Sequence, residues 1–259
     1  MKKEDQKVIK KLNKNLSSIY SRCEAILVNH KKGNDIGEKD YIWFVFSADI
    51  YYRIKDITFL NKKLNEAKNN FDSSLFVLSR SVLETFIYFN YLLCEEDRIK
   101  YRLRAFICWS VKNNELKVIG CLKDLELKGK FIFSDDPKDI LSAEKIDKKI
   151  IDFKTNVEEY KIFYKEDPLF EEEVKIFEKI GRVAQKYDEI KGINSVKNGS
   201  ENISMEWMYN YVYRFQCMSV HQSIRDKEKV FNLFNNKEKP NNMNIICLLD
   251  NIAEQILIL

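Results

Sequence analysis

Residues 71–94, FDSSLFVLSRSVLETFIYFNYLLC, are the longest apolar run in the chain and constrain its fold more than any other stretch. Leu75, Leu78, Val82, Phe86, Phe89 and Leu93 recur at threes and fours, which is a helical period. Val77, Leu83, Ile87 and Leu92 fill most of the remaining circumference, and a helix that is apolar nearly all round is a buried one. Arg80 and Glu84 interrupt it at i and i+4, one turn apart on one face. Charges placed there are costly unless partnered. They are either a clasp between helices or part of a site.

The rest of the chain also reads as helices. Val8, Leu12, Leu16, Ile19, Cys23, Ile26 and Leu27 share a face of a first helix over about 4–29. Its other face is rich in lysine, which is ordinarily a solvated surface. Residues 30–37 read as a loop from their Gly and Asn/Asp content. Asp40 is the expected N-cap of a second helix. That helix runs from Tyr41 through Arg53 and on toward Asn69, with a break expected in its polar second half. Asp72 or Ser73 would cap the central helix.

A further helix is expected over 97–127, a loop over 128–139 and a helix over 142–164. Pro168 should open a helix reaching Tyr187. Residues 191–202 are the most loop-like stretch. Ser204 should cap a helix to His221 or beyond, and 243–259 should form a final apolar helix. No stretch alternates cleanly with period two, and no internal repeat is visible. The expected fold is all-α: one bundle of about seven or eight helices, a single domain over 1–259 in which helices within 1–70 pack on a 71–259 core.

Composition narrows the function classes. Hydrophobic residues make up 45% of the 259-residue chain, enough for a real core, while 7 glycines and 3 prolines leave little room for glycine-built sites. A net charge of +4, from 44 basic and 40 acidic side chains, does not by itself mark a nucleic-acid binder. The six cysteines include no C-x-x-C pair and sit mostly in apolar helical contexts, so they read as buried thiols of a cytoplasmic protein. The N-terminal stretch is basic with no apolar segment of a leader type. No apolar run reaches the roughly 20 residues that span a bilayer, so no membrane association is expected.

Phosphate-binding glycine loops, dinucleotide fingerprints and the nucleophile-elbow motif are all absent. With only His30 and His221 in the chain, a Cys/His zinc site is not expected. Neither are a metal centre nor another cofactor. The carboxylate-rich stretch 171–178 singles out no reaction.

The richest polar constellation lies in residues 209–223, YNYVYRFQCMSVHQS. Arg214 and His221 are at i and i+7, about two helical turns apart and on one face. Tyr213 and Ser219 add polar groups. Histidine is the acid/base of neutral pH, and arginine holds phosphate and offsets charge developing on it. Together they have the chemistry to cleave RNA without a metal. His221 would take the proton of a 2′-hydroxyl and Arg214 would stabilise the phosphorane. The structural reading of the same pair is a helix-terminal histidine that caps carbonyls or satisfies a buried carboxylate. Arg80 and Glu84 would support the pair if the bundle brought them together. Arg98, Arg102 and Arg104 would supply RNA phosphate contacts, or else form a solvated face with snorkelling stems.

Two of these motifs carry a resemblance. Residues 78–85, LSRSVLET, followed more than a hundred residues later by Tyr213-Arg214, Ser219 and His221, resemble an uncharacterised all-helical bacterial family. The similarity covers about 71–223. The second motif is also similar to the R-x(4–6)-H signature of HEPN-domain proteins, though Phe215 stands where that family has a polar residue. The resemblance implies a helical, often dimeric ribonuclease of toxin–antitoxin or anti-phage defence systems. Its expected partners are RNA, a second copy of the chain and an antitoxin or other protein. The alternative is a non-catalytic interaction module that binds a protein or small ligand, with the Arg/Glu/His cluster structural.

Overall fold

The computed structural model describes residues 3–66, 73–111, 167–193, 204–213 and 243–259, with isolated positions between 148 and 159. Every regular element among these residues is helical, and none is a strand. By their contacts they gather into two compact units, 1–96 with 183–259, and 97–182.

In the first unit, helix α1 (Lys3–Lys31) and helix α2 (Glu38–Glu66) form a hairpin. The α1 end is set by Gly33, whose φ of 84° suits glycine and whose amide donates to the His30 carbonyl. Helix α2 starts earlier than the Asp40 cap foretold. The Tyr41 amide already donates to the Gly37 carbonyl, so the ladder opens there. Asp40 instead joins Glu38 in an acidic first turn, where negative charge suits the helix dipole. Among the described residues the expected break is absent too. No glycine or proline falls between 38 and 66, and Trp43, Ser47, Ile50, Ile54, Ile57 and Asn61 keep one buried face to the end.

Helix α3 (Ser73–Leu93) is the buried element foreseen, with Leu75, Val82, Leu83, Phe86, Ile87, Phe89 and Leu92 in the core. Val77 is its exposed exception. It runs antiparallel to α2: Phe46 stacks on Phe89 and Asp49 meets Thr85. The final helix, here α8 (Met243–Ile258), lies against α1. Lys11 Nζ stands 2.7 Å from Glu254 and 3.5 Å from Asp250, and Asn15 donates to Asp250 at 3.0 Å. On α2, the Trp43 indole N–H donates to the Ile256 carbonyl at 3.3 Å, and the Arg22 guanidinium lies 3.9 Å from the centre of the Trp43 ring.

The second unit holds helix α4 (Ile99–Ser110), entered by a 3₁₀ turn over Glu96–Arg98, and helix α5 (Pro168–Phe177). Asp167 caps α5 by accepting from the Leu169 amide, with Pro168 in the first turn as expected. Tyr101 packs edge-on against Phe170, and Phe106 and Trp109 close on Phe177. The single helix expected from Pro168 to Tyr187 is in fact two. The amides of Glu178 and Lys179 turn back to carbonyls three residues earlier, which tightens and ends the turn. Helix α6 (Ile180–Lys191) then begins afresh and stops at Gly192, φ 63°. Of the cysteines, Cys23, Cys94 and Cys108 are buried free thiols, as read from their contexts, whereas Cys247 is exposed. Cys121 and Cys217 lie outside the described residues.

Candidate functional site

Glu84 lies near a charged residue contributed by α2, Arg53, as well as near Arg80 of its own helix. Asp49 and Arg53 are also at i and i+4, in the opposite order, and antiparallel packing brings the two pairs to one level. Arg53 Nε lies 2.7 Å from Asp49 Oδ2, and the Thr85 hydroxyl donates to the same oxygen at 3.2 Å. Glu84 makes no hydrogen bond or ion pair with another side chain among the described residues. Burial pushes its carboxyl above the usual range, while the positive charges of Arg80 and Arg53 pull the other way. The result is a half-buried acid that holds its proton more tightly than a free one, flanked by two guanidinium groups. Such a set can bind an oxyanion and exchange a proton beside it.

The raised carboxyl sets the sign of a pH effect. Folding shifts Glu84 toward its neutral form relative to the unfolded chain, so stability falls as pH rises past the unfolded value into the raised range. Glu84→Gln removes that loss. The variant should melt above wild type near neutrality and above, with the difference closing toward about pH 4, the unfolded carboxyl range. Thermal melts across pH check this; a wild type that melts higher at every pH would contradict it.

A second polar node holds the entry to the 209–223 motif. The Asp188 carboxylate, buried on α6, accepts from the Ser204 hydroxyl at 2.5 Å and from the amides of Met205 and Glu206. Ser204 Oγ in turn accepts from the Trp207 amide, the capping role expected of it. The helix it starts, α7 (Met205–Trp207), widens at once into a π-helical stretch over Met208–Tyr213. Such turns are rare and often sit at functional sites. Tyr213 ends that stretch. Arg214, Ser219 and His221 lie outside the described residues.

The arginines of α4 behave differently from a phosphate-facing stripe. Arg98 and Arg102 do share a face, and that face meets Glu173 on α5. Arg102 Nε is 3.5 Å from Glu173 and Arg98 Nη2 is 3.8 Å from it. Arg102 is only 1% exposed, so it offers no surface to RNA in this unit. Arg98 is partly exposed and lies over the Tyr101 ring, 5.0 Å from its centre. Burial, and then the neighbouring Asp167 carboxylate, push the Tyr101 hydroxyl well up. Arg104 is half-buried.

Asp49, Arg53, Glu173 and Asp188 are the residues that sequence reasoning passed over. The D-x-x-x-R spacing of 49 and 53, inside an apolar stretch, was the available signal for the first two. Asp188 and Glu173 carried none, because their partners are distant in the chain. Among the described residues no cluster of His, Cys, Asp and Glu could hold a metal ion, and no helix is long and apolar enough to cross a membrane.

No curated protein and no solved structure matches the chain. Residues 64–239, however, match a family model whose description is a family of unknown function, DUF5677. That span contains both the Arg80/Glu84 motif and the Tyr213–His221 motif. It exceeds half of the chain, and the protein therefore belongs to the DUF5677 family.

Proposed function

We propose that the protein is a metal-independent ribonuclease of HEPN-like type, acting in bacterial anti-phage defence. The observation that carries this reading is the half-buried Glu84 carboxyl, raised by burial and flanked by Arg53 and Arg80. It joins an acid/base group on α3, a helix that is otherwise core, to cationic phosphate holders on α2 and α3. The Arg214/His221 spacing supports the same chemistry from sequence. In this reading His221 removes the proton from a 2′-hydroxyl, whose oxygen attacks the adjacent phosphorus. The bond to the 5′-oxygen breaks and that oxygen takes up the proton carried by His221, leaving a 2′,3′-cyclic phosphate and a 5′-hydroxyl. Arg214 offsets the charge on the phosphorane; Arg80, Glu84, Tyr213 and Ser219 support the pair. RNA, a second copy of the chain and an antitoxin-like protein are the partners this reading carries. An exposed apolar stripe on α2, Tyr41, Val45, Tyr52 and Phe59, supports a protein contact.

The second reading is a non-catalytic interaction module. It is favoured by the way Arg53 and Thr85 satisfy Asp49 within the helix pair, as a clasp would. One set of variants separates the two. The ribonuclease reading expects His221→Ala to melt like wild type and to lose RNA cleavage by at least about a thousandfold, the scale of removing an acid/base group. The clasp reading expects His221→Ala and Glu84→Ala to lower the melting temperature together, with no cleavage by wild type. Undiminished cleavage by purified His221→Ala would refute the first.

A further inference from the structure

Arg53, a part-exposed arginine, is held at its inner edge. Of its five N–H donors, Nε is committed to Asp49 Oδ2 at 2.7 Å. Its terminal amines make no hydrogen bond among the described residues. The Thr85 hydroxyl, donating to the same Asp49 oxygen, fixes that carboxylate from α3. The guanidinium is therefore anchored through its inner edge while its outer edge stays available. Both side chains of the Asp49–Arg53 pair keep 40% of their surface, so the outer edge is reachable. The carboxyl beside it, Glu84, has no hydrogen-bonded partner of its own among the described residues. A planar fork with its rotation already set is the geometry that binds two oxygens of one phosphate. The entropy of ordering a long side chain has been lost in advance.

We infer that Arg53 is a phosphate-binding residue, oriented by Asp49 and Thr85 and offering its terminal amines to two oxygens of one phosphate group. That the phosphate belongs to an RNA backbone rests on the ribonuclease reading; the anchored fork does not. Asp49 is a positioning residue here, since it touches the ligand only through Arg53.

The test is titration calorimetry of the full chain with two probes, inorganic phosphate and an oligoribonucleotide that is 2′-O-methylated throughout and so cannot be cleaved. Wild type should bind both. Arg53→Gln should weaken both by about tenfold or more, the value of one bidentate charged pair. Arg53→Lys keeps the charge and loses the fork, and should stay about fivefold weaker. Asp49→Asn is decisive on orientation. It raises the net charge by one, which alone would tighten anion binding, yet it should weaken both probes about threefold because the guanidinium is no longer held. Should Arg53→Gln fail to fold by circular dichroism, the other two variants carry the test. Wild-type binding of neither probe, or equal binding by Arg53→Gln, would overturn the inference. Tighter binding by Asp49→Asn would overturn the positioning role. Arg53-dependent binding of phosphate without any binding of the oligonucleotide would keep the inference and remove the ribonuclease reading. Arg53-independent binding of the oligonucleotide would do the reverse.

Discussion

Glu173→Ala is expected to destabilise the α4–α5 unit by about 3–5 kcal/mol, the usual cost of stripping a carboxylate partner from a buried charge. Arg102 is among the largest fully buried side chains, and Glu173 lies 3.5 Å away. Removing the carboxylate takes away a charge that offsets a guanidinium which cannot reach water and cannot lose its proton. Arg98, 3.8 Å from the same acid, is partly exposed and re-solvates at little cost. The pair as a whole is expected to contribute much less than either half suggests. Replacing both with apolar groups of similar volume, Arg102→Met with Glu173→Leu, should return stability to within about 1 kcal/mol of wild type or above it. Urea unfolding followed by tryptophan fluorescence reads this, since Trp109 packs on Phe177 in the same unit. A single Glu173→Ala change within about 0.5 kcal/mol of wild type, the range of ordinary surface substitutions, would mean that Arg102 is not buried as described.

Trp43→Ala should cost the first unit a comparable amount, about 3–5 kcal/mol for truncating a fully buried aromatic ring. Trp43 has no exposed surface, and from α2 it contacts two other helices, α1 and α8. Its indole N–H donates to Ile256, one of the last four carbonyls of α8, which lack partners within the helix. Arg22 of α1 covers its ring. Trp43→Phe keeps most of the packing and loses only that donor, so about 1–2 kcal/mol is expected, the cost of a buried carbonyl left unpaired. The ratio between the two substitutions separates the volume effect from the capping effect. Equal losses would assign everything to the hydrogen bond.

How far the sequence could be read depended on the range of the interaction concerned. Helix α3 was legible because its period and its apolarity are properties of consecutive residues. So were the Asp167–Pro168 entry to α5 and the Ser204 cap, each a local hydrogen-bond pattern. The start of α2 was misplaced because Gly37, a residue with no capping side chain, opens the ladder through its carbonyl. The division between α5 and α6 was missed because both lie on one continuous amphipathic pattern; only the three-residue backbone bonds reveal it. At the candidate site, Arg80 and Glu84 stood out as charges in an apolar run. Asp49 and Arg53 did not, because their meaning depends on the antiparallel register of α2 against α3. The burial of Arg102 was hidden for the same reason: a shared helical face is readable, but what it packs against is not.

The Asp188 carboxylate ties the end of α6 to the start of α7 through Ser204, Met205 and Glu206. Three donors converge on one carboxylate, so the register in which the π-helical stretch begins is set by a residue 16 to 18 positions upstream. Asp188→Asn would replace a charge-assisted acceptor by a neutral amide, and the start of α7 would loosen before the core face of α6 did.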